Sequence, residues 1–246
     1  MSCFAKILTE LVFPANTFRD YNHNQHKRLF DDIYGYDNIK RLFRIALEAT
    51  HTTSILLSGP PASAKTLFLQ CLLKLHNSYF IDCSNATKSG VVDCIFDSKP
   101  KYVLLDELDK LSRKDQTFLL NLLETGIVSE TKHNKTRSME IKASVFATSN
   151  SIEKILSPLQ SRFFIVRIEP YTYEQFYDIT LRLLTSDRHN VDEEMGKVTA
   201  DAVWNTTRNI RDCIKIANMA KSVEDVNWLA KYFLNNNEEE YEAQIR

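Results

Sequence analysis

The segment Gly59-Pro60-Pro61-Ala62-Ser63-Ala64-Lys65-Thr66 joins a glycine-led turn to a lysine and a hydroxyl. It follows a short apolar run, Ser54-Ile-Leu-Leu-Ser58, and precedes the apolar stretch that starts at Thr66 and Leu67. A loop between a strand and a helix puts backbone N–H groups and the positive end of the helix dipole toward an anion. Lys65 adds a point charge beside a β- or γ-phosphate, and the Thr66 hydroxyl is a hard oxygen ligand for Mg²⁺. Residues 59–67 are therefore expected to cradle a nucleoside triphosphate. Ala64 stands where a glycine is expected. If that position needs a positive φ, alanine costs roughly 1–2 kcal/mol there.

A second apolar run, Tyr102-Val-Leu-Leu, ends in Asp106 and Glu107. The carboxyl end of a buried strand is where open α/β sheets bind ligands. Asp106 there can hold a metal, and Glu107 can take a proton from an attacking water. Three further features suit the same reaction. Asn150 ends the run Ser144-Val-Phe-Ala-Thr-Ser and can orient a water. Arg162 lies just before the run Phe163–Ile168. Arg211 follows Asn209 at the start of a helical pattern.

These residues need a sheet to gather them. Apolar runs at 54–58, 79–82, 101–105, 143–148 and 163–168 read as strands, alternating with helical patterns at 36–50, 66–76 and 116–124. That alternation implies a mostly parallel sheet with helices on both faces. Beyond Pro170 no strand is expected. Thr172 and Gln175 have capping-box spacing, Phe176, Ile179 and Leu183 follow on one face, and further helical patterns run to Phe233. The expected domains are an N-terminal extension (1–36), an α/β domain (37–170) and a small all-helical lid with a fraying tail (171–246).

Composition narrows the class. The 246 residues are 43% apolar and 26% charged with a formal net charge of -1, which excludes a largely disordered chain and a globally basic nucleic-acid binder. Five cysteines with no C-x-x-C pair suggest neither a zinc site nor a disulfide framework. No apolar run approaches the roughly 18 residues of a membrane span, and Lys6 and Glu10 interrupt the first apolar stretch, against a signal peptide. A cytoplasmic protein is expected.

In order and spacing, the phosphate loop, the Asp-Glu strand end, Asn150, Arg162 and Arg211 resemble the AAA+ ATPases over about 200 residues, from Asp32 to the lid. The resemblance implies a P-loop NTPase fold and hydrolysis of ATP to ADP and phosphate with Mg²⁺ held by Thr66 and Asp106. It implies a homo-oligomeric ring, usually a hexamer, in which Arg162 reaches the neighbour's γ-phosphate. It also implies a sensor role for Asn150, a lid-sensor role for Arg211, and Tyr34 and Gly35 near the adenine. Ala64 before Lys65, Asp106-Glu-Leu-Asp-Lys110 and Ser161-Arg-Phe163 resemble minichromosome maintenance helicases, and the alanine also resembles MoxR-type proteins. The stretch 126–142 fits a β-hairpin turning at His133-Asn134, where those helicases and the RuvB motor carry a pre-sensor hairpin. Lys132, Lys135, Arg137 and Lys142 make it basic, which suits a DNA backbone and equally suits a solvated hairpin. Lys88-Ser-Gly90 could form a small pore loop. The implied activity is a DNA-acting motor; the alternatives are a MoxR-like protein-remodelling chaperone and a slow ATP-dependent assembly switch.

Overall fold

A computed structural model describes residues 28–61, 63–132, 135–186 and 189–234, without the side chains of 131, 132, 135 and 234. Residues 1–27, 62, 133–134, 187–188 and 235–246, with the expectations placed on them, lie outside the described residues.

Strands β1 (Ser54–Ser58), β2 (Ser78–Asp82), β3 (Tyr102–Asp106), β6 (Ser144–Ser149) and β7 (Phe164–Arg167) form one parallel sheet in the order β2-β3-β6-β1-β7. Their apolar runs have no polar alternation because both faces are covered. On one face, α1 (Asp37–Glu48) and α2 (Lys65–Leu73) pack on Ile55, Leu57, Leu104 and Phe146. Phe43 stacks on Phe68 at 5.2 Å and meets Phe146 at 5.4 Å, so one aromatic column pins both helices to the sheet. On the other face, α3 (Lys88–Ser98) and α4 (Arg113–Thr125) bury Val91, Val92, Ile95, Phe118, Leu119 and Leu122 against Leu56, Val103, Leu105 and Val145.

Helix α3 corrects the pore-loop expectation. Lys88, Ser89 and Gly90 form its first turn, capped by the Thr87 hydroxyl, which accepts from the Gly90 N–H at 3.3 Å. The expected hairpin is present as β4 (Ile127–Lys132) and β5 (Lys135–Glu140), paired antiparallel. Gly126 ends α4 at φ 70°, and a Cβ there would come within 2.7 Å of the Ile141 carbonyl oxygen. Only glycine fits where the hairpin closes on its own base.

After a one-turn helix α5 (Ser157–Gln160) and β7, the elements among the described residues from 171 on are helices, with no strand among them. Helix α6 (Tyr173–Leu184) starts at the expected capping box, with Thr172 and Gln175 bonded reciprocally. Its buried stripe is Phe176, Thr180 and Leu184 rather than Phe176, Ile179 and Leu183. Helices α7 (Glu193–Trp204), α8 (Ile210–Met219) and α9 (Val223–Leu229) close a separate small core of Phe176, Val203, Cys213, Ile216 and Val226. Burial pushes the thiols of Cys71, Cys83 and Cys213 up to about 12, so they serve as small buried hydrophobes. No helix of the described residues is long and apolar enough to cross a membrane.

Candidate functional site

The strand order places the chemistry. β6 lies between β1 and β3, so the carboxyl end of β6 separates the loop after β1 from the acids after β3. The in-register pairs Ser58 with Ser149 and Asp82 with Asp106 bring these ends to one level.

The loop after β1 is held tightly. The Gly59 N–H donates to the Ser149 carbonyl at 3.2 Å, and a Cβ on Gly59 would sit 2.4 Å from the Ile168 carbonyl oxygen. Glycine is thus required for the loop to pass beneath the end of β7. The Ser63 hydroxyl donates to the Pro60 carbonyl at 2.6 Å and tightens the turn. Ala64 is the N-cap of α2 with φ 59° and ψ 4°, the left-handed conformation that glycine adopts freely. Leu67 lies one turn into the helix, exposed.

Lys65 is buried, and its ammonium donates to the carbonyls of Gly59 (2.8 Å) and Pro60 (2.6 Å) and to the Ser63 hydroxyl (3.1 Å). Burial lowers its pKa, while the charges of Asp106, Asp109 and Glu107 act to raise it. The charge of Arg211 acts in the same direction as burial. Its N–H is capped by Asn209 Oδ1 at 3.0 Å at the start of α8.

Across the cleft, Asp106 Oδ1 accepts from the Thr66 hydroxyl at 3.2 Å and from the Thr148 hydroxyl at 2.5 Å. Burial raises the Asp106 pKa, and both hydroxyl bonds work against that rise. A hydroxyl and a carboxylate meeting at a helix N-terminus are hard oxygen donors, the set that Mg²⁺ uses beside phosphate oxygens. Thr66 and Asp106 therefore fit this cation.

Glu107 adopts φ 53° and ψ 49°. The left-handed turn swings its carboxylate out of line with the strand, where Oε1 accepts from Asn150 Nδ2 at 3.3 Å. The Asn150 N–H donates to Asp109 Oδ1 at 2.9 Å. Asp109 is 7% exposed, and the three-residue turn Leu108–Lys110 carries it under Asn150. Asp109 and Thr148 carry no role in the sequence motifs, because neither shows its partner in the local pattern.

Arg162 stands apart from this cluster, and Tyr34 is bonded to α6. The Tyr34 hydroxyl donates to Asp178 Oδ2 at 2.6 Å, and the Arg182 guanidinium lies 5.2 Å from its ring centre, so Tyr34 joins the chain to α6. Gly35 turns the chain at φ 65°. The aromatic that reaches the phosphate-loop helix is Tyr36, 6.3 Å from Phe68 and 5.0 Å from Tyr171. Arg162 precedes β7, at the sheet end opposite the phosphate loop. The four residues of β7 separate the two by about 13 Å of strand at roughly 3.3 Å per residue. Its guanidinium bonds to Glu124 Oε2 (2.7 Å) and the Pro158 carbonyl (2.6 Å).

The hairpin also differs from expectation at Arg137. This side chain is committed to Glu130 (2.6 Å), to Asp93 of α3, and to the face of Phe96 at 4.4 Å. Glu130, with its side chain 8% exposed, also accepts from Ser89 at 3.0 Å. Arg137 clamps the hairpin to α3 and is not a free partner for a phosphate backbone. The side chains of Lys132 and Lys135 lie outside the described residues.

Residues 55–171 match the ATPase family associated with various cellular activities (AAA), and this segment is an AAA-family domain. The chain is similar to the zygotic DNA replication licensing factor mcm6-A of Xenopus laevis, 22% identical over 240 residues. That match covers 79% of this chain and 29% of the relative, so the chain spans under a third of that protein. It is similar to the replication factor C small subunit of Staphylothermus marinus, 22% identical over 265 residues, covering 88% of this chain and 74% of the relative. Among solved structures, a point variant of Thermotoga maritima RuvB superposes with a TM-score of 0.63 at 19% identity, covering 82% of this chain and 70% of that one. A second RuvB variant gives 0.60 at 20% identity, over 77% and 63%. The parallel sheet with flanking helices and a helical C-terminal part is thus the AAA+ P-loop NTPase fold.

Proposed function

We propose that this chain hydrolyses ATP to ADP and phosphate as a homo-oligomer, with 37–170 as the ATPase part, 171–246 as its lid and 1–36 as an extension. The observation that carries the reading is the bonded series Thr66–Asp106–Thr148–Glu107–Asn150 beside Lys65. The loop N–H groups of 59–67 and Lys65 bind the phosphates. Lys65 first leaves the carbonyls of Gly59 and Pro60, an exchange of hydrogen bonds rather than a loss. Thr66 and Asp106 would hold Mg²⁺, which when bound neutralises charge on the β- and γ-phosphates. Asn150 fixes the Glu107 carboxylate, and Glu107 takes the proton of a water that attacks the γ-phosphorus in line as ADP leaves. Arg211 contributes positive charge from the lid side. Tyr34 and Gly35 lie near the adenine in this reading, with Tyr34 bonded to Asp178 of α6.

Arg162 supports the assembly part of this reading by its position. It lies too far from its own phosphate loop, so it serves a neighbour's γ-phosphate in a ring, with a hexamer as the expected size. The edge strand beside it supports this, with Phe164 68% exposed and Ile165 uncovered. DNA is the proposed polymer, since the similar proteins include a DNA replication licensing factor and a replication factor subunit, and the hairpin carries Lys132 and Lys135. The test is ATP turnover with single-stranded, duplex and branched DNA. Stimulation by any of them supports a DNA-acting motor. Turnover indifferent to all three favours the protein-remodelling alternative. Nucleotide-dependent assembly with negligible turnover favours the switch, which the left-handed Ala64 also suits.

A further inference from the structure

We infer that Thr148 is a positioning residue that sets the Asp106 carboxylate and the Glu107 backbone together, so that the cation site and the base are built by one hydroxyl. The inference rests on the nucleotide-binding reading above and names a residue that no motif assigns.

Thr148 lies in β6 across from the end of β3. The pairs Leu104 with Phe146 and Leu105 with Ala147 run up to it, which puts Thr148 opposite Asp106. Strand alternation gives Phe146 and Thr148 the same face, the one covered by α2. At 1% exposure above Phe146 and Leu104, this position would suit valine on packing grounds alone. The hydroxyl is what distinguishes threonine there, and both of its functions are used. It donates to Asp106 Oδ1 at 2.5 Å and accepts from the Glu107 N–H at 2.9 Å.

Each bond has a distinct consequence. The donated bond, with that of Thr66, converges on Oδ1 and fixes the carboxylate's rotation, which turns Oδ2 to the partners those hydroxyls do not supply. The accepted bond holds the Glu107 peptide at the left-handed turn, a conformation that a non-glycine residue leaves unless something retains it. The same strand reaches Asn150 two residues on, whose amide meets the Glu107 carboxylate. Thr148 therefore couples the position of β6 to the base from the backbone side, as Asn150 does from the side-chain side.

The test measures binding of a fluorescent ADP by Thr148→Val, Thr148→Ala and Thr148→Ser, each with Mg²⁺ and with EDTA. Removing an outer partner of a metal-ligating group typically costs about 10–100-fold in metal affinity. The valine and alanine variants should lose about tenfold or more of the Mg²⁺-dependent gain while keeping the affinity seen in EDTA, and serine should restore most of the gain. An unchanged Mg²⁺ gain in both valine and alanine variants overturns the inference. So does an equal loss with and without Mg²⁺, which marks a merely structural residue. If the unaltered chain binds no nucleotide under either condition, the proposed function itself fails, a result separable from the other two.

Discussion

Replacing Ala64 with glycine should make the chain more stable, because alanine stands at φ 59° in the cap that turns the phosphate loop into α2. A non-glycine residue in the left-handed region costs roughly 1–2 kcal/mol. Glycine gives back about 0.4–1 kcal/mol by widening the unfolded ensemble. The net gain lies within about 0–1.6 kcal/mol, centred near 0.8, which for a chain of this size moves the unfolding midpoint up by roughly 2–3 °C at the centre of that range. Ala64→Val tests the same term with the opposite sign, since a β-branched residue is worse still at this φ. Thermal unfolding of the nucleotide-free protein, followed by circular dichroism, measures both. The order glycine above alanine above valine is expected. A glycine variant no more stable than the parent, together with a valine variant no less stable, refutes the strain argument.

Asp106→Asn should raise the unfolding midpoint without nucleotide and abolish the Mg²⁺-dependent gain in nucleotide binding. Burial holds the native Asp106 pKa above its ordinary value, so the ionised side chain weighs against folding. Its stabilising share is present below the unfolded pKa and lost as pH rises through the native one, so the variant's advantage should vanish toward pH 4 and grow above it. Arg137→Gln should lower the unfolding midpoint and speed proteolysis within 126–142, whereas charge reversal at Lys132 and Lys135 should weaken DNA stimulation at unchanged basal turnover. Mixing Arg162→Ala with Lys65→Ala subunits, each inactive alone, should restore turnover through hybrid sites. An arginine supplied in trans is typically worth about 10³–10⁵ in rate. A mixture that co-assembles yet stays inactive removes Arg162 from that role.

The phosphate loop and the Asp106-Glu107 strand end are legible in the sequence because each is a local pattern attached to a strand. The parallel sheet and the helical C-terminal part follow from apolar runs for the same reason. Helix α3 escapes, since Gly90 stands in its first turn and its large apolar residues form only two adjacent pairs, Val91-Val92 and Ile95-Phe96. Long-range pairings have no local signature. Thr148 meets Glu107 and Asp109 meets Asn150 across 41 residues, and Arg137 meets Asp93 across 44. Lys132, Lys135, Arg137 and Lys142 make the hairpin basic in the sequence, and only the fold reveals that Arg137 is held by two acids. Tyr34 meets Asp178 across 144 residues with Arg182 beside its ring, so its tie to α6 has no local signature either.

Phosphate release and ATP retention by Glu107→Gln, set beside Lys65→Ala, test the central claim most directly. Glutamine keeps the volume and a bond to Asn150 but cannot accept the water's proton. The glutamine variant should retain ATP with near-parental affinity and release no phosphate, and the Lys65→Ala variant should retain none. Phosphate release by Glu107→Gln at the parental rate would contradict the assignment of the base and the hydrolytic site built around it.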